Sequence, residues 1–312
     1  MSGERARGGR EALRLTRRAP AKINLFLHIV GRRGDGYHRL ESLVAFTDIG
    51  DGLSVERAPE LSLVVQGPFA EALNATSGHD ANLVMRAARS LQARTGATQG
   101  ARLVLDKELP VASGIGGGSS DAAAALHLLN GLWALGLAET ALAQIGLMLG
   151  SDLPVCLRGR TAFVSGVGEV VEDCGRLPAL FLVLVNPGQG LATPEVYRAF
   201  SASGALDGSP ARAFPKGPWA DELALIAMLK ETRNDLEAPA IALCPAIAQV
   251  LKALGAQEGC ALARMSGSGA TCFGIFPGRA AAERAARALA RAEPAWWVKP
   301  ARLFASGTAA SS

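Results

Sequence analysis

Between Leu109 and Leu126 the chain reads LPVASGIGGGSSDAAAAL, where Gly114, Gly116, Gly117 and Gly118 join an expected strand to a strong helix former. Glycine permits positive φ and leaves the backbone bare, so amide groups there can come very close to a ligand. The N-terminus of the following helix directs a partial positive charge and unpaired N–H groups at whatever the loop encloses. Phosphate is the ligand that fits this description. Ser119 and Ser120 supply an N-cap and hydroxyls able to reach a phosphate oxygen or a metal ion. A plain helix start is the alternative, but each glycine costs stability, and four in five positions exceed what a cap needs. Two familiar phosphate motifs are excluded: the dinucleotide pattern needs glycine where Ser119 stands, and Walker A needs a Gly-Lys dipeptide that the chain lacks.

Other chemistries find little support. The five cysteines (Cys156, Cys174, Cys244, Cys260, Cys272) are odd in number and widely spaced, with no Cys-x-x-Cys pair, which suits reduced core residues of a cytosolic protein. The four histidines, at 28, 38, 79 and 127, show no His-Glu-x-x-His spacing, which argues against zinc. The net charge of +4 is concentrated in an arm holding Arg5, Arg7, Arg10, Arg14, Arg17 and Arg18, and aromatic residues are 5% of the chain. A nucleic-acid binder needs a basic face interleaved with aromatics, so nucleic acid is not expected as a partner. The first 19 residues hold no apolar signal core; their arginines faintly resemble a transit peptide, and a frayed, disordered arm is the expectation. No stretch reaches the roughly 18 apolar residues of a membrane span, so neither membrane association nor secretion is expected.

At 312 residues and 49% hydrophobic, the chain can fill two cores. Ala21 to Val30 alternates as a strand, Gly31 to Gly36 makes a turn, and a second strand runs through Leu43, Ala45 and Phe46. Leu53 to Glu56, Leu61 to Val65 and Arg102 to Asp106 read as short strands. Helices are expected over Asn82 to Thr95, ending near Gly96, and over Ser119 to Leu135 and Glu139 to Leu149. Phe181 to Pro187 (FLVLVNP) suits a buried strand, Cys272 to Phe276 another. Glu222 to Lys230, Pro245 to Leu254 and Arg279 to Ala292 suit helices. Gly175 to Pro178 marks a domain junction, and Ser201 to Pro218 is expected to be a mobile loop. Strands and helices that mix without strict alternation indicate α+β.

Pro-x(3)-Gly-x-Gly-x-Gly-Ser-Ser-x-Ala-Ala, from Pro110 to Ala123, resembles the ATP-binding signature of the galactokinase, homoserine kinase, mevalonate kinase and phosphomevalonate kinase (GHMP) superfamily. PAKINLFLHIVGRRGDGYHRLESL (Pro20 to Leu43) resembles the first motif of its diphosphocytidyl-methylerythritol kinase branch, and RMSGSGATCFGIF (Arg264 to Phe276) the third glycine motif. NLVMRAA (Asn82 to Ala88), GSDLPVCLRGRTAFVSGVGE (Gly150 to Glu169) and RNDLE (Arg233 to Glu237) agree in order and spacing, so the likeness covers nearly all of the chain after Ala19.

The resemblance implies a two-domain α+β fold. An N-terminal ATP-binding domain over 20–174, like ribosomal protein S5 domain 2, would follow the disordered arm 1–19, and a ferredoxin-like C-terminal domain would span 178–304. It implies ATP-dependent phosphorylation of a cytidine diphosphate derivative of methylerythritol, in the non-mevalonate route to isoprenoid precursors, within a bacterial cytoplasm. Lys22 and Asp152 match the catalytic pair: Asp152 as base at the acceptor hydroxyl, Lys22 stabilising developing negative charge. Pro110, Val111, Ala112, Ser113, Gly114, Ile115, Gly116, Gly117, Gly118, Ser119 and Ser120 would cradle the phosphates, with Asn82 and Lys107 at the adenine. Asn24, Tyr37, His38, Thr193, Tyr197, Gly267, Ser268 and Gly269 match the acceptor side; the family pattern has phenylalanine where Tyr197 stands. Phosphoryl chemistry implies Mg²⁺ with the ATP, though no carboxylate here announces itself as its ligand.

Each residue has a plainer reading alongside. Asp152 could be an N-cap or loop carboxylate before Pro154, Lys22 an exposed strand residue, Lys107 a solvated charge, and His38 an ordinary strand histidine. A sibling kinase acting on homoserine or mevalonate and a noncatalytic nucleotide-binding protein of the same fold are the alternative functions.

Overall fold

The computed structural model describes residues 13–76, 81–204 and 219–304. A long hairpin of β1 (Arg14–Arg32) and β2 (His38–Ala58) opens the chain, followed by β3 (Leu61–Gln66), α1 (Ala70–Thr76), α2 (Leu83–Thr95) and β4 (Gly100–Asp106). Next come α3 (Gly117–Leu132), α4 (Glu139–Leu147), α5 (Leu153–Arg158), β5 (Ala162–Gly166) and β6 (Val170–Asp173). These strands make one six-stranded sheet. The first stretch of β2 pairs with β5 and its last stretch with β4, while β1 runs along its other edge.

After a connection over 174–180 the chain forms β7 (Phe181–Asn186), α6 (Thr193–Ala202), α7 (Glu222–Lys230), α8 (Glu237–Leu243) and α9 (Ala246–Gly255). It ends in β8 (Leu262–Met265), β9 (Cys272–Phe276), α10 (Arg279–Ala292) and β10 (Trp297–Arg302). Their sheet is antiparallel, in the order β10-β7-β9-β8. No helix among the described residues is long and apolar enough to cross a membrane.

The two-residue period of a strand sorts side chains between cores. Val44 and Phe46 of β2 enter a core with α2, α3 and α5, whereas Leu43 and Ala45 enter a second core shared with Leu182 and Leu184 of β7. Val183 and Val185 point the other way, into a third core with α8, α9 and α10. Both faces of the central strands are therefore covered, which is why FLVLVN reads as one unbroken apolar run. Leu177 and Leu180 are buried in the middle core, so the 174–180 connection is packed, not loose.

Several expected boundaries move. The basic arm ends early: Arg14 to Ala19 already belong to β1, paired residue by residue with Asp51 to Glu56, because a partner strand outweighs the weak local β preference of an arginine-rich run. Residues 1–12 lie outside the described residues. Leu53 to Glu56 is not a separate strand but the end of β2. The glycine-loop helix starts two residues early, at Gly117, and ends at Leu132. The loop assigned to 201–218 begins inside α6 and lies outside the described residues from 205. Among elements not foreseen, α5 and α8 are a few residues long, too short for a helical period to declare itself.

Candidate active site

Among the described strands β1 pairs with β2 alone, so the N–H groups of its other edge take their partners from loops, including an isolated bridge between Leu27 and Asn234. The motifs hang on that edge. Lys22 N–H donates to Ile115 O of the glycine loop at 2.9 Å, Asn24 N–H to Ser266 Oγ at 3.1 Å, Leu27 N–H to Arg233 O at 3.0 Å, and Ile29 N–H to Asp235 Oδ2 at 2.7 Å. The register of the hairpin shifts on either side of Lys22 to Asn24, and such bulges re-aim side chains. Lys22 and Asn24 thereby face a cavity of about 830 Å³ bounded by β1, the glycine loop, the start of α6 and the third glycine motif.

The glycine loop is gripped from outside by its carbonyls. Ala112 O accepts from Leu191 N–H, Ser113 O from Thr271 N–H, Gly114 O from Ser266 Oγ and Ile115 O from Lys22 N–H, at 2.9 to 3.1 Å. The amides of Gly114 through Ser119 donate to no protein acceptor among the described residues. Carbonyls taken by neighbouring elements and amides left without a protein acceptor, at the start of a helix whose cap is Gly116, suit an anion cradle.

The four glycines serve different neighbours. A Cβ at Gly114 would lie 2.5 Å from Ser266 O, where the loop crosses the third glycine motif. At Gly116 it would press on the Lys22 side chain, and at Gly117 it would stand 3.0 Å from Lys107 Nζ. Only at Gly118 would it project into open space, with Leu83 Cδ2 nearest at 4.0 Å.

Lys22 is buried and its ammonium donates to Asp152 Oδ2 at 2.9 Å, so it is not a solvated charge. Asp152 stands at the N-cap position of α5, yet its side chain caps nothing there; it is spent on Lys22, with the carboxylate 44% exposed to the cavity. Nearby, Asn24 Nδ2 donates to Ser42 Oγ at 2.8 Å, which leaves Asn24 Oδ1 buried without a partner in the protein. A ligand donor would satisfy it.

At the other end of the cavity, His38 lies against Tyr197 with ring centroids 5.3 Å apart. Ser201 Oγ donates to Tyr197 O and sits 2.9 Å from His38 Nε2. The tautomer with the proton on Nε2 lets Ser201 satisfy both partners, donating to the carbonyl and accepting from the ring, and leaves Nδ1 as an acceptor. Burial, reinforced by Arg32, holds the His38 pKa below its ordinary value. Burial, with the charge of Asp152 adding to it, pushes the Tyr197 phenol up. Thr193 Oγ1 meets Ser268 Oγ at 2.8 Å, joining α6 to the third glycine motif. Tyr37 lies in the β1–β2 turn at the cavity mouth, 67% exposed.

Not every expected residue reaches the cavity. Asn82 is the N-cap of α2, its Oδ1 accepting from Val84 N–H at 2.9 Å. Ile115 is fully buried in the core between the sheets. Ser120 turns its hydroxyl to Cys156 Sγ at 3.6 Å, away from the cavity, because a residue in the first turn of α3 on that face points to α5. It does not cap the helix. Gly269 folds behind the loop against Gly114. Lys107 lines the cavity but is buried, paired with Asp51 and Asp121. Asp51, Asp121, Ser42 and Ser266 carry the site without having been singled out in the sequence; lone polar residues in strands and helices give no local signal. Among the described residues no three His, Cys, Asp or Glu side chains could hold a metal, and the residues present do not fit a protein-built magnesium cage.

The family model described as "GHMP kinases N terminal domain" matches residues 82–160, and that described as "GHMP kinases C terminal" matches residues 219–295. A 4-diphosphocytidyl-2-C-methyl-D-erythritol kinase of Cereibacter sphaeroides is 52% identical over 287 residues, covering 91% of this chain and 98% of its own. One of Paramagnetospirillum magneticum is 48% identical over 290 residues, covering 92% and 97%. A crystal structure of 4-(cytidine 5'-diphospho)-2C-methyl-D-erythritol kinase matches with a TM-score of 0.71 at 35% identity, over 94% of this chain and all of that one. A homoserine kinase from Cytophaga hutchinsonii matches with a TM-score of 0.68 at 15% identity, over 99% and 98%, a likeness of fold alone.

Proposed function

The chain belongs to the GHMP kinases and is an ATP-dependent small-molecule kinase, and we propose that its acceptor is the 2-hydroxyl of 4-diphosphocytidyl-2-C-methyl-D-erythritol. The observation that carries the site assignment is that the Lys22–Asp152 pair and the glycine loop, whose amides have no protein acceptor among the described residues, line the same cavity. The loop amides and the N-terminus of α3 bind the ATP phosphates. Asp152 accepts the proton of the acceptor hydroxyl as its oxygen attacks the γ-phosphorus and the bond to the ADP oxygen breaks. Lys22 orients that carboxylate and offsets the negative charge gathering on the transferred group. Asn24 Oδ1 is placed to accept from a second acceptor hydroxyl.

The cytidine end is read by the His38, Tyr197 and Tyr37 cluster. His38 Nδ1 suits the amino group that cytosine presents where uracil presents a carbonyl oxygen, while the tyrosine rings offer stacking faces. Mg²⁺ accompanying ATP would supply neutralisation of phosphate charge, with no carboxylate cage among the described residues to hold it. The division into an ATP-binding domain over 20–174 and a C-terminal domain over 178–304, and a cytoplasmic location, belong to the same proposal.

ATP consumption with a panel of alcohols tests the assignment. The cytidine compound should be turned over with a kcat/KM at least about 100-fold above that of mevalonate or homoserine, since those lack every contact to the base. Faster turnover of either sibling substrate would sink the acceptor assignment and leave the kinase standing.

A further inference from the structure

Behind the glycine loop lies a fully buried cluster that the phosphoryl-transfer chemistry does not use. Asp51 comes from β2, Lys107 from the exit of β4 and Asp121 from α3, and each is at most 2% exposed. Lys107 Nζ donates to Asp51 Oδ2 and, at 3.0 Å, to Asp121 Oδ2. The second oxygen of Asp51 accepts the backbone N–H groups of Glu108 and Leu109 at 2.6 and 2.8 Å. Asp51 thus holds the entry to the loop and Asp121 sits one turn past its exit, with Lys107 connecting the two.

We propose that Asp51, Lys107 and Asp121 form a buried positioning triad that sets the span of the glycine loop, and through it the affinity for the phosphates of ATP. Loop residues 110–116 run between two stems, and a cradle of backbone amides binds an anion only when the stems hold those amides at the right separation. Gly117 is the contact between triad and cradle: a Cβ there would stand 3.0 Å from the Lys107 ammonium and 3.6 Å from Asp51 Oδ2. The glycine is needed for the triad behind it, not only for the ligand in front.

The charge balance supports this reading. Burial, with Asp51 adding to it and Lys107 opposing, pushes the Asp121 carboxyl up to about 8. Burial pushes the Lys107 pKa down, but the two aspartates outweigh it and raise the pKa, so the three side chains are held as one mutually compensating cluster. Removing Asp121 leaves Lys107 paired with Asp51, so a variant at 121 should fold.

The inference rests on the glycine loop being the ATP-phosphate site but not on the identity of the acceptor. ATP binding is therefore measured by calorimetry without acceptor, and steady-state kinetics are run alongside. Asp121→Ala should weaken ATP about tenfold or more, as misplacing a binding group by a fraction of an ångström does, while kcat at saturating ATP and the acceptor KM stay within about threefold. Asp121→Asn keeps an oxygen for Lys107 and should bind ATP within about threefold of wild type. Asp121→Ser is too short to reach Lys107, should give the same split as Asp121→Ala, and keeps the test decisive if that variant does not fold. The triad is only a structural ion pair if both the Ala and the Ser variant bind ATP like wild type, if Asp121→Asn is as weak as Asp121→Ala, or if kcat falls while ATP affinity holds. If the Ala and Ser variants behave as expected but the cytidine compound is not turned over, the acceptor assignment has failed and the triad stands.

Discussion

A methyl group at position 118 probes the cradle with the least disturbance to the rest of the protein. Gly118 is the second residue of α3, and a Cβ there would meet nothing nearer than Leu83 Cδ2 at 4.0 Å. Alanine restricts the unfolded chain more than glycine and is the better helix former, so Gly118→Ala should stabilise the fold by about 0.4–1 kcal/mol. For a chain of this size that corresponds to a rise in Tm of about 1–3 °C by calorimetry. The same methyl occupies space that the phosphates need and shields the loop amides, so ATP affinity should fall about tenfold, equivalent to about 1.4 kcal/mol. Gly114→Ala supplies the contrast. Its φ is +74° and its Cβ would lie 2.5 Å from Ser266 O and 2.6 Å from Gly269 N, so this variant should lose stability by more than about 1 kcal/mol. A folded Gly118→Ala protein with raised Tm and unchanged ATP affinity would mean that the phosphates lie elsewhere. A lowered Tm would mean that the space in front of Gly118 is not open.

Asp152→Asn keeps the shape of the site and removes the base; kcat should fall about 10²-fold to 10⁴-fold with ATP affinity unchanged, and turnover near that of wild type would remove Asp152 from the mechanism. Tyr197→Ala should raise the acceptor KM about 5-fold to 150-fold, the range that loss of one stacked ring implies, without affecting ATP. His38→Ala should narrow the preference for cytidine over a uridine analogue; an unchanged ratio would show that the edge of the base is read elsewhere. His28 gives the pH test. Burial, with Arg233 and Arg264 adding to it against Asp235, lowers its pKa to about 4 from an ordinary 6.5. The unfolded chain therefore takes up a proton below pH 6.5 that the folded protein refuses, and stability should fall between about pH 6.5 and 4, by on the order of 2 kcal/mol. Urea midpoints at pH 7 and 4.5 for wild type and His28→Gln check this, the variant being expected to lose less on acidification.

The local parts of this protein are written in its sequence. Asn82 and Gly96 bracket α2 as side-chain cap and left-handed stop, and Cys272–Phe276 and Arg279–Ala292 coincide with β9 and α10, because caps, glycines and apolar periods act over a few residues. The glycine loop is legible as a candidate phosphate site for the same reason, since bare backbone ahead of a helix needs no distant partner to be recognised. Direction and pairing are not local. Ser119 and Ser120 are adjacent, yet one lines the cavity and the other meets Cys156, a choice made by how α3 packs on α5. Lys22 and Asp152 become a pair only when strand β1 and the start of α5, 130 positions apart, bring the ammonium and carboxylate to 2.9 Å. Asp51 carries no motif at all; its cluster with Lys107 and Asp121 exists only where β2, the exit of β4 and α3 converge and exclude water, because in that interior a charge needs a partner that the linear order of residues does not name.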